Sequence, residues 1–434
     1  MTDISVVNNL WVVVCALLIF SMPVSVGLLE IGELGKRYSR SLLKTLLITG
    51  CALFMMAIIG FNVAFAPTIG GLIGNPLYGP GLFLGGFSSN ATGMLNGVWW
   101  STGPSYFSTG LTTGTYFLFE AASAAVTLAL VGVVVLRKMK LEAFLAYSVV
   151  YFIVIWTLPA AWIWNPTGWL YQMGVRDFAG GLLVHASAGT AGLAIVYRIW
   201  REEKKKGLKA STIVPVDVNP TWLGLAMVLL WVGWFGFNPG SVLAINSSAT
   251  TVVLTTFLSG AACLLSVAFF RRVVMKGSPD VLYASNGILM GLIVITPMAG
   301  FVSPASAILL GVIAGPLYLA AERWFLRQKW FTDPVSLFPA HFVGGIFGLV
   351  MIAFFTQSAF AGASGNSNLP SGLLFGGGSA ALSQLGLEVL AAIVVLAAVF
   401  AMTYAALEVI GRAMGGITTD YEKEALDMGL TGDS

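Results

Sequence analysis

The chain predicts an all-α integral membrane protein of eleven transmembrane helices, and three observations carry that prediction. It is 57% hydrophobic and only 9% charged, with a mean hydropathy of +0.87, far from the balance of a soluble domain. It contains repeated apolar runs of about 20 residues, the length that crosses a bilayer. Its basic residues fall in alternate connections between those runs.

Taken in order, the spans lie near 8–30, 42–66, 113–136, 141–162, 178–201, 220–240, 247–270, 281–298, 303–324, 339–356 and 381–411. Lys36, Arg37, Arg40 and Lys44 sit between the first two. Arg137, Lys138 and Lys140 follow the third, and six bases from Arg198 to Lys209 follow the fifth. Arg271, Arg272 and Lys276 separate spans 7 and 8; Arg323, Arg327 and Lys329 separate 9 and 10. Arg412 and Lys423 come after the last. Of 22 Lys and Arg, Arg176 alone falls on the opposite side. The positive-inside rule then places the C-terminus in the cytoplasm and the N-terminus outside, in the inner membrane. Termini on opposite sides need an odd number of spans. The net charge of +3 reflects this loop asymmetry and gives no reason to expect nucleic acid as a partner.

Other features narrow the class. The first span has Asp3 ahead of it and no basic leader, so it reads as a retained span rather than a signal peptide. Cys15, Cys51 and Cys263 all fall within spans, where lone cysteines act as packing residues; no disulfide is expected. No phosphate-binding loop, dinucleotide fingerprint, CxxC pair or nucleophile–base cluster is present, so neither an enzyme nor a cofactor is expected. The connection from Phe61 to Thr113 carries no charge and includes Trp99 and Trp100; it reads as an ordered cap over an external vestibule.

Only two histidines occur, His185 and His341, and both lie inside apolar spans. Their surroundings repeat. Asp177 and Asp333 each stand eight residues before a histidine, and Gly189/Gly192 and Gly345/Gly348 follow at matching offsets. A motif duplicated once per half is the mark of transporters built from internal repeats. Two neutral imidazoles meeting across a lumen offer a polar relay for a proton. The glycine pairs allow close helix approach. The plain alternative is two unrelated core histidines, each bonded to a backbone carbonyl. A third possibility is bis-His haem ligation in an electron-transfer protein, which nothing else in the chain suggests.

Five further positions bear chemistry. Asp177 stands at the start of span 5, where a carboxylate caps free N–H groups and draws cations to an entrance. Trp164, Phe237 and Ser241 supply aromatic faces and a hydroxyl suited to a small N–H cation. Spacing alone does not bring them together. Glu120, inside or at the edge of span 3, is either an intramembrane functional carboxylate or an interfacial residue bonded to a neighbour.

Asp-Phe-Ala-Gly-Gly-Leu-Leu-Val-His (177–185) closely resembles the hallmark of the ammonium transporter family, Amt/Mep/Rh. Trp-Phe-Gly-Phe-Asn-Pro-Gly-Ser (234–241), Ile-Thr-Pro-Met-Ala-Gly-Phe-Val (295–302) and His-Phe-Val-Gly-Gly-Ile-Phe-Gly (341–348) are similar to further motifs of that family. So is the tail Tyr-Glu-Lys-Glu-Ala-Leu-Asp (421–427). The resemblance implies a homotrimer with one pore per subunit and an inverted five-plus-five repeat. The transmembrane domain would cover 1–411, with halves of about 1–203 and 204–356 and a long final helix, then a cytoplasmic tail at 412–434. It implies that His185 and His341 are twin pore histidines. Trp164 and Ser241 would line an outer site for ammonium or methylammonium, Asp177 would support it, and Phe237 would gate below. Ammonium would lose its proton there, ammonia would cross, and the histidines would relay the proton. A cytoplasmic PII-type regulator would be a further partner.

The chain also departs from the family pattern. Ser123 replaces the upper gate phenylalanine, leaving Phe119 as the nearest ring, and Glu120 stands where the family has Gln. Arg137-Lys138 replace the usual Glu-Arg, Ser336 replaces an Asp, and Thr431 replaces a tail histidine. Ser123 and Glu120 would then belong to the ammonium site. A carboxylate at that site would hold a cation longer, which suits a sensor. The alternative function is thus an ammonium sensor signalling through its tail to a C-terminally fused output domain such as a histidine kinase.

Overall fold

In a computed structural model, described for residues 3–34, 38–77, 111–135, 138–207, 218–278, 280–328, 333 and 336–419, eleven helices are long and apolar enough to cross a membrane. They run Val6–Glu33, Ser41–Phe65, Thr113–Gly132, Leu141–Ile163, Gly181–Lys205, Pro220–Gly240, Ser247–Val274, Val281–Met298, Pro304–Phe325, Leu337–Phe355 and Gly378–Ala413. Each expected span is present, displaced by a few residues at its ends. The chain is an all-α, multi-pass membrane protein. Lipid offers no hydrogen bonds, so each span satisfies its backbone internally, as only helices and closed barrels do.

The sequence sets the helix starts through short polar side chains. The Thr112 hydroxyl accepts the Thr115 N–H, the Asn219 carboxamide accepts Thr221 and Trp222, and Asn246 accepts Ala249. Asp280 caps Tyr283, and Ser303 caps Ser306. Pro220 and Pro304 follow their caps directly, where a missing N–H is harmless. Large apolar side chains such as Leu10, Leu17, Phe54, Leu265 and Ile393 remain exposed, as a lipid-facing surface requires.

The helices sort into a tight inner set and a peripheral one. Span 5 is the most enclosed, and spans 3 and 8 follow it closely; the long last span is the least enclosed. Spans 1 and 6 pack along their length, and spans 7, 8 and 9 form a second bundle. One buried ion pair ties spans 1 and 2: Lys44 Nζ donates to both Glu30 oxygens at 2.8 and 3.0 Å and to the Gly132 carbonyl at 2.8 Å. Such full satisfaction is what makes a charge tolerable inside a membrane.

Both ends of the bundle are tied by connections. The start of the 61–113 connection is ordered. Phe61–Phe65 continues as helix, and Thr68–Ile69 pairs antiparallel with Ile73–Gly74. Asn165 donates to the Ala64 and Ala66 carbonyls, and the Trp162 indole donates to Leu72. Residues 78–110, including Trp99 and Trp100, lie outside the described residues, as does the 421–427 motif. At the other end, the segment after the last span docks back. Ile417 and Thr418 donate backbone N–H groups to Glu202, and Lys140 N donates to the Ile417 carbonyl at 2.9 Å.

Candidate functional site

Two unusual helical turns create the site. Residues Gly181–Ala186 and Leu337–Val343 are wound as π-helix, one at the start of span 5 and one at the start of span 10, and each carries a histidine. Single π-turns re-aim side chains and cluster at functional positions. The aspartates found eight residues upstream hold the turns. Asp177 Oδ2 accepts the Leu182 and Leu183 N–H groups at 3.0 and 2.9 Å. Asp333 accepts Leu337 and Phe338 at 2.8 and 2.7 Å. The duplicated motif is therefore a duplicated local structure.

The two turns meet. His341 Nδ1 lies 3.2 Å from His185 Nδ1, with one ring donating and the other accepting. Both side chains are buried, at 2% and 0% exposure. This direct bond departs from the alternative of two separate core histidines bonded to carbonyls. It also leaves no room for an iron and its macrocycle between the ring nitrogens, so the geometry does not fit bis-His haem ligation. The Trp234 ring stacks on His185 at 5.5 Å, and Phe237 tilts against it at 6.1 Å.

The glycines of the motif permit that approach. A Cβ on Gly189 would stand 2.5 Å from Phe342 Cβ, and one on Gly345 would stand 2.4 Å from the Gly181 carbonyl and 2.8 Å from Ala186 N. The span 5 glycine thus seats the span 10 turn, and the reverse. Gly345→Ala meets backbone rather than a yielding side chain. It should destabilise the fold by about 1–3 kcal/mol and push the histidine turns apart. A thermal-unfolding midpoint equal to the parent's would contradict this close packing.

A cavity of about 140 Å³ opens at the end opposite the basic loops. It is lined by Phe119, Glu120, Ser123, Trp164, Asp177, Phe237 and Ser241, so these positions, drawn from spans 3 and 6, the end of span 4 and the approach to span 5, converge. Phe237 belongs both to the cavity wall and to the rings around His185. Its volume suits a small cation with a few waters, since a liquid water takes about 30 Å³.

The polar groups of the cavity are oriented as acceptors. The Ser241 hydroxyl donates to the Phe237 carbonyl at 2.9 Å, and Ser123 donates to Phe119 at 3.0 Å. Each hydroxyl hydrogen is spent on its own helix, leaving oxygen lone pairs for an N–H donor. The Trp164 indole N–H is spent on the Asp177 carbonyl at 2.7 Å, which fixes the ring. Asp177 is 4% exposed, and its Oδ1 has no hydrogen-bond partner among the described residues. Burial pushes its carboxyl up to about 6, against the backbone N–H groups of Leu183, Leu182, Gly181 and Gly180 that favour the charged form. Glu120 is 4% exposed; the Tyr116 hydroxyl bonds it, and Oε2 has no hydrogen-bond partner among the described residues. It is therefore a buried residue of the cavity wall and not an interfacial one.

Some neighbours were not anticipated. Arg176 lines the same cavity, but its guanidinium donates to the Tyr171 and Val175 carbonyls and lies over the Tyr171 ring at 4.2 Å. Glu388, fully buried in the last span, accepts the Arg176 N–H at 3.0 Å and Gln384 at 2.6 Å and faces Asp177 electrostatically. A carboxylate deep inside the apolar last span is a signal that the sequence alone carries. Among the described residues, no group of three His, Cys, Asp or Glu has the arrangement to hold a metal ion.

Comparison with known proteins places this arrangement. The family model described as Ammonium Transporter Family matches residues 10–434. An ammonium transporter of Bacillus subtilis (strain 168) is 30% identical over 424 residues, covering 96% of this chain and 95% of its own length. Ammonium transporter Amt1 of Archaeoglobus fulgidus is 30% identical over 383 residues, covering 87% and 86%. Among solved structures, Candida albicans Mep2 superposes with a TM-score of 0.80 at 22% identity, covering 94% of this chain and 84% of its own. A structure described as a sensor Amt protein does so with a TM-score of 0.80 at 23%, covering 97% of each chain. The structural likenesses are likenesses of fold. With a family model spanning all but the first nine residues, the chain belongs to the ammonium transporter family.

Proposed function

We propose that this protein conducts ammonium across the membrane, inward from the cavity side. The observation that carries the reading is the buried His185–His341 bond beneath a cavity of acceptors and aromatic rings. An ammonium ion enters the cavity, where Trp164 offers a π face and Ser241 a free lone pair; the Asp177 charge favours its arrival. Beyond Phe237 the surroundings are aromatic and dry, and a bare cation there costs several kcal/mol or more. Ammonium therefore leaves its proton behind. Neutral ammonia passes, and the linked imidazoles carry the proton, each donating from one nitrogen as it accepts at the other. The basic-loop end is cytoplasmic on this reading, and the working unit is a homotrimer with a pore in each subunit.

Binding at the cavity is the direct test. Trp164→Leu should remove the cation–π contribution of about 0.5–2 kcal/mol, weakening ammonium or methylammonium binding about two- to thirtyfold in calorimetry. Unchanged affinity would remove Trp164 from the site. Because the Asp177 carboxyl lies up at about 6, affinity should also fall as pH drops through that value and the charge is lost. Methylammonium stays protonated throughout this range, so a flat profile between pH 7 and 5 would place the attraction elsewhere.

A second reading is favoured by one specific observation, the unpartnered oxygen of Glu120 in the cavity wall. A carboxylate there, ionised when a cation occupies the cavity, deepens the well for that cation. A deep well serves detection better than flux, and the docked segment at Ile417 and Thr418 would carry the signal to an output partner.

A further inference from the structure

The end of the bundle that carries the basic loops holds a second cleft, of about 430 Å³ and so roughly three times the outer cavity. It lies between the end of span 5 and the end of the last span, and the Gly415–Gly416 turn forms part of its wall. Five bases line it: Arg198, Arg201, Lys205, Lys206 and Arg412. Glu202 and Glu408 are the acids that face them.

Both acids are already occupied. Glu202 accepts Arg198 and Lys206, each at 2.9 Å, together with the Ile417 and Thr418 backbone N–H groups and the Thr418 hydroxyl. Glu408 accepts the Tyr404 hydroxyl at 2.9 Å and lies 3.1 Å from Arg198 Nε. Among the described residues, Arg201, Lys205 and Arg412 form no ion pair. Arg201 donates to the Tyr404 hydroxyl, a neutral partner. Yet Arg198, Arg201 and Arg412 all act electrostatically on Glu408. One carboxylate thus answers three guanidinium groups, and the lining keeps three positive charges more than it has negative ones.

Bases at helix ends have an ordinary use, since they complement the C-terminal dipole and anchor a span at the membrane surface. That use is served by side chains spread apart in water. Here they are gathered around a cleft whose walls are held close by glycine. A Cβ on Gly411 would stand 2.7 Å from Arg198 Nη2, and one on Gly416 would stand 2.5 Å from Glu202 Oε1. Crowded like charges call for an anion. A guanidinium fork matches phosphate oxygens in pairs, and Lys adds a point charge.

The surroundings indicate where the phosphate comes from. On the membrane side of the cleft, Tyr197 stacks on Trp200 at 5.9 Å and lies 5.9 Å from Tyr404, which stacks on Phe400 at 6.4 Å. Such rings sit at the headgroup level of a bilayer. Val409, beside Glu408, is 67% exposed on the least enclosed of the spans. Basic pockets between spans at this depth hold anionic headgroups. We propose that the cleft binds the phosphate group of one anionic phospholipid, with Arg201, Lys205 and Arg412 as its ligands. The bound lipid joins the end of span 5 to the end of the last span. This inference uses none of the residues of the outer cavity and does not depend on ammonium as cargo.

The test is lipid binding to the full chain in neutral detergent, by calorimetry with dioctanoyl phosphatidylglycerol. Wild type should bind one molecule per chain saturably. Dioctanoyl phosphatidylcholine, whose phosphate is offset by its own ammonium group, should bind at least tenfold more weakly. Lys205 and Arg412 are exposed, so Lys205→Gln/Arg412→Gln should fold as the parent does and bind phosphatidylglycerol at least fivefold more weakly. Arg201→Gln reads the same site independently. Arg272→Gln/Arg323→Gln removes two exposed charges from other basic loops and should change affinity less than twofold. Phosphatidylglycerol should also raise the thermal-unfolding midpoint of wild type and leave that of Lys205→Gln/Arg412→Gln unmoved. Equal binding of the two lipids, or no saturable binding, would overturn the site. Equal losses in the cleft and control pairs would reduce it to diffuse surface charge and overturn it as well. Inorganic phosphate competing as strongly as phosphatidylglycerol would overturn the lipid as the source of the phosphate.

Discussion

Replacing either His185 or His341 with alanine should reduce ammonium-dependent current at least about tenfold, equivalent to about 1.4 kcal/mol on the conduction barrier. The reasoning starts from burial. The rings are packed beneath Trp234 and Phe237 and touch each other at 3.2 Å. Removing one breaks the only direct hydrogen bond either ring makes among the described residues and leaves its partner unsatisfied. It also empties volume in an otherwise aromatic passage. If a proton moves through the pair, one missing nitrogen interrupts it. If the histidines carry only the proton, the alanine variants would still pass neutral ammonia while the current vanished. Current on a supported membrane and ammonia uptake in liposomes separate these outcomes. Ammonium affinity at the outer cavity should be little changed, because neither histidine lines it. Wild-type current in both variants would end the relay reading.

Much of this was legible in the sequence because the membrane imposes simple rules. Apolar length located the spans, and the rarity of histidine singled out the two buried rings that meet. The matched Asp and Gly offsets anticipated the paired turns, although spacing could not announce that they would be π-helical. What stayed hidden depends on which face of a helix looks inward. In a soluble protein, polarity marks the outside; here both faces are apolar, and Leu265 toward lipid reads like Leu292 in the core. Hence Tyr116, Arg176 and Glu388 were not assigned to the cavity neighbourhood. The convergence of Trp164, Phe237 and Ser241 came from family resemblance before geometry supplied it. Glu120 is the reverse case: the departure was visible, and only the three-dimensional arrangement places it in the cavity wall.

Glu120→Gln separates a conducting protein from a detecting one. The carboxylate is 4% exposed, its Oε2 is unpartnered among the described residues, and it lines the same cavity as Asp177. At an effective dielectric of about 20, a unit charge about 4 Å from a cation contributes about 4 kcal/mol. Even a third of that would lengthen residence about tenfold if the entry rate is unchanged. Glutamine keeps the shape and removes the charge, so the variant should bind ammonium at least about tenfold more weakly. For a conducting protein, wild type should give ammonium-dependent current, and Glu120→Gln should raise the current at saturating ammonium because release no longer limits it. Tight wild-type binding without current, lost with the Glu120 charge, would replace conduction by sensing as the function. Robust current together with an affinity indifferent to Glu120→Gln would mean that the ion passes without meeting this carboxylate. The cavity's charge would then rest on Asp177 alone.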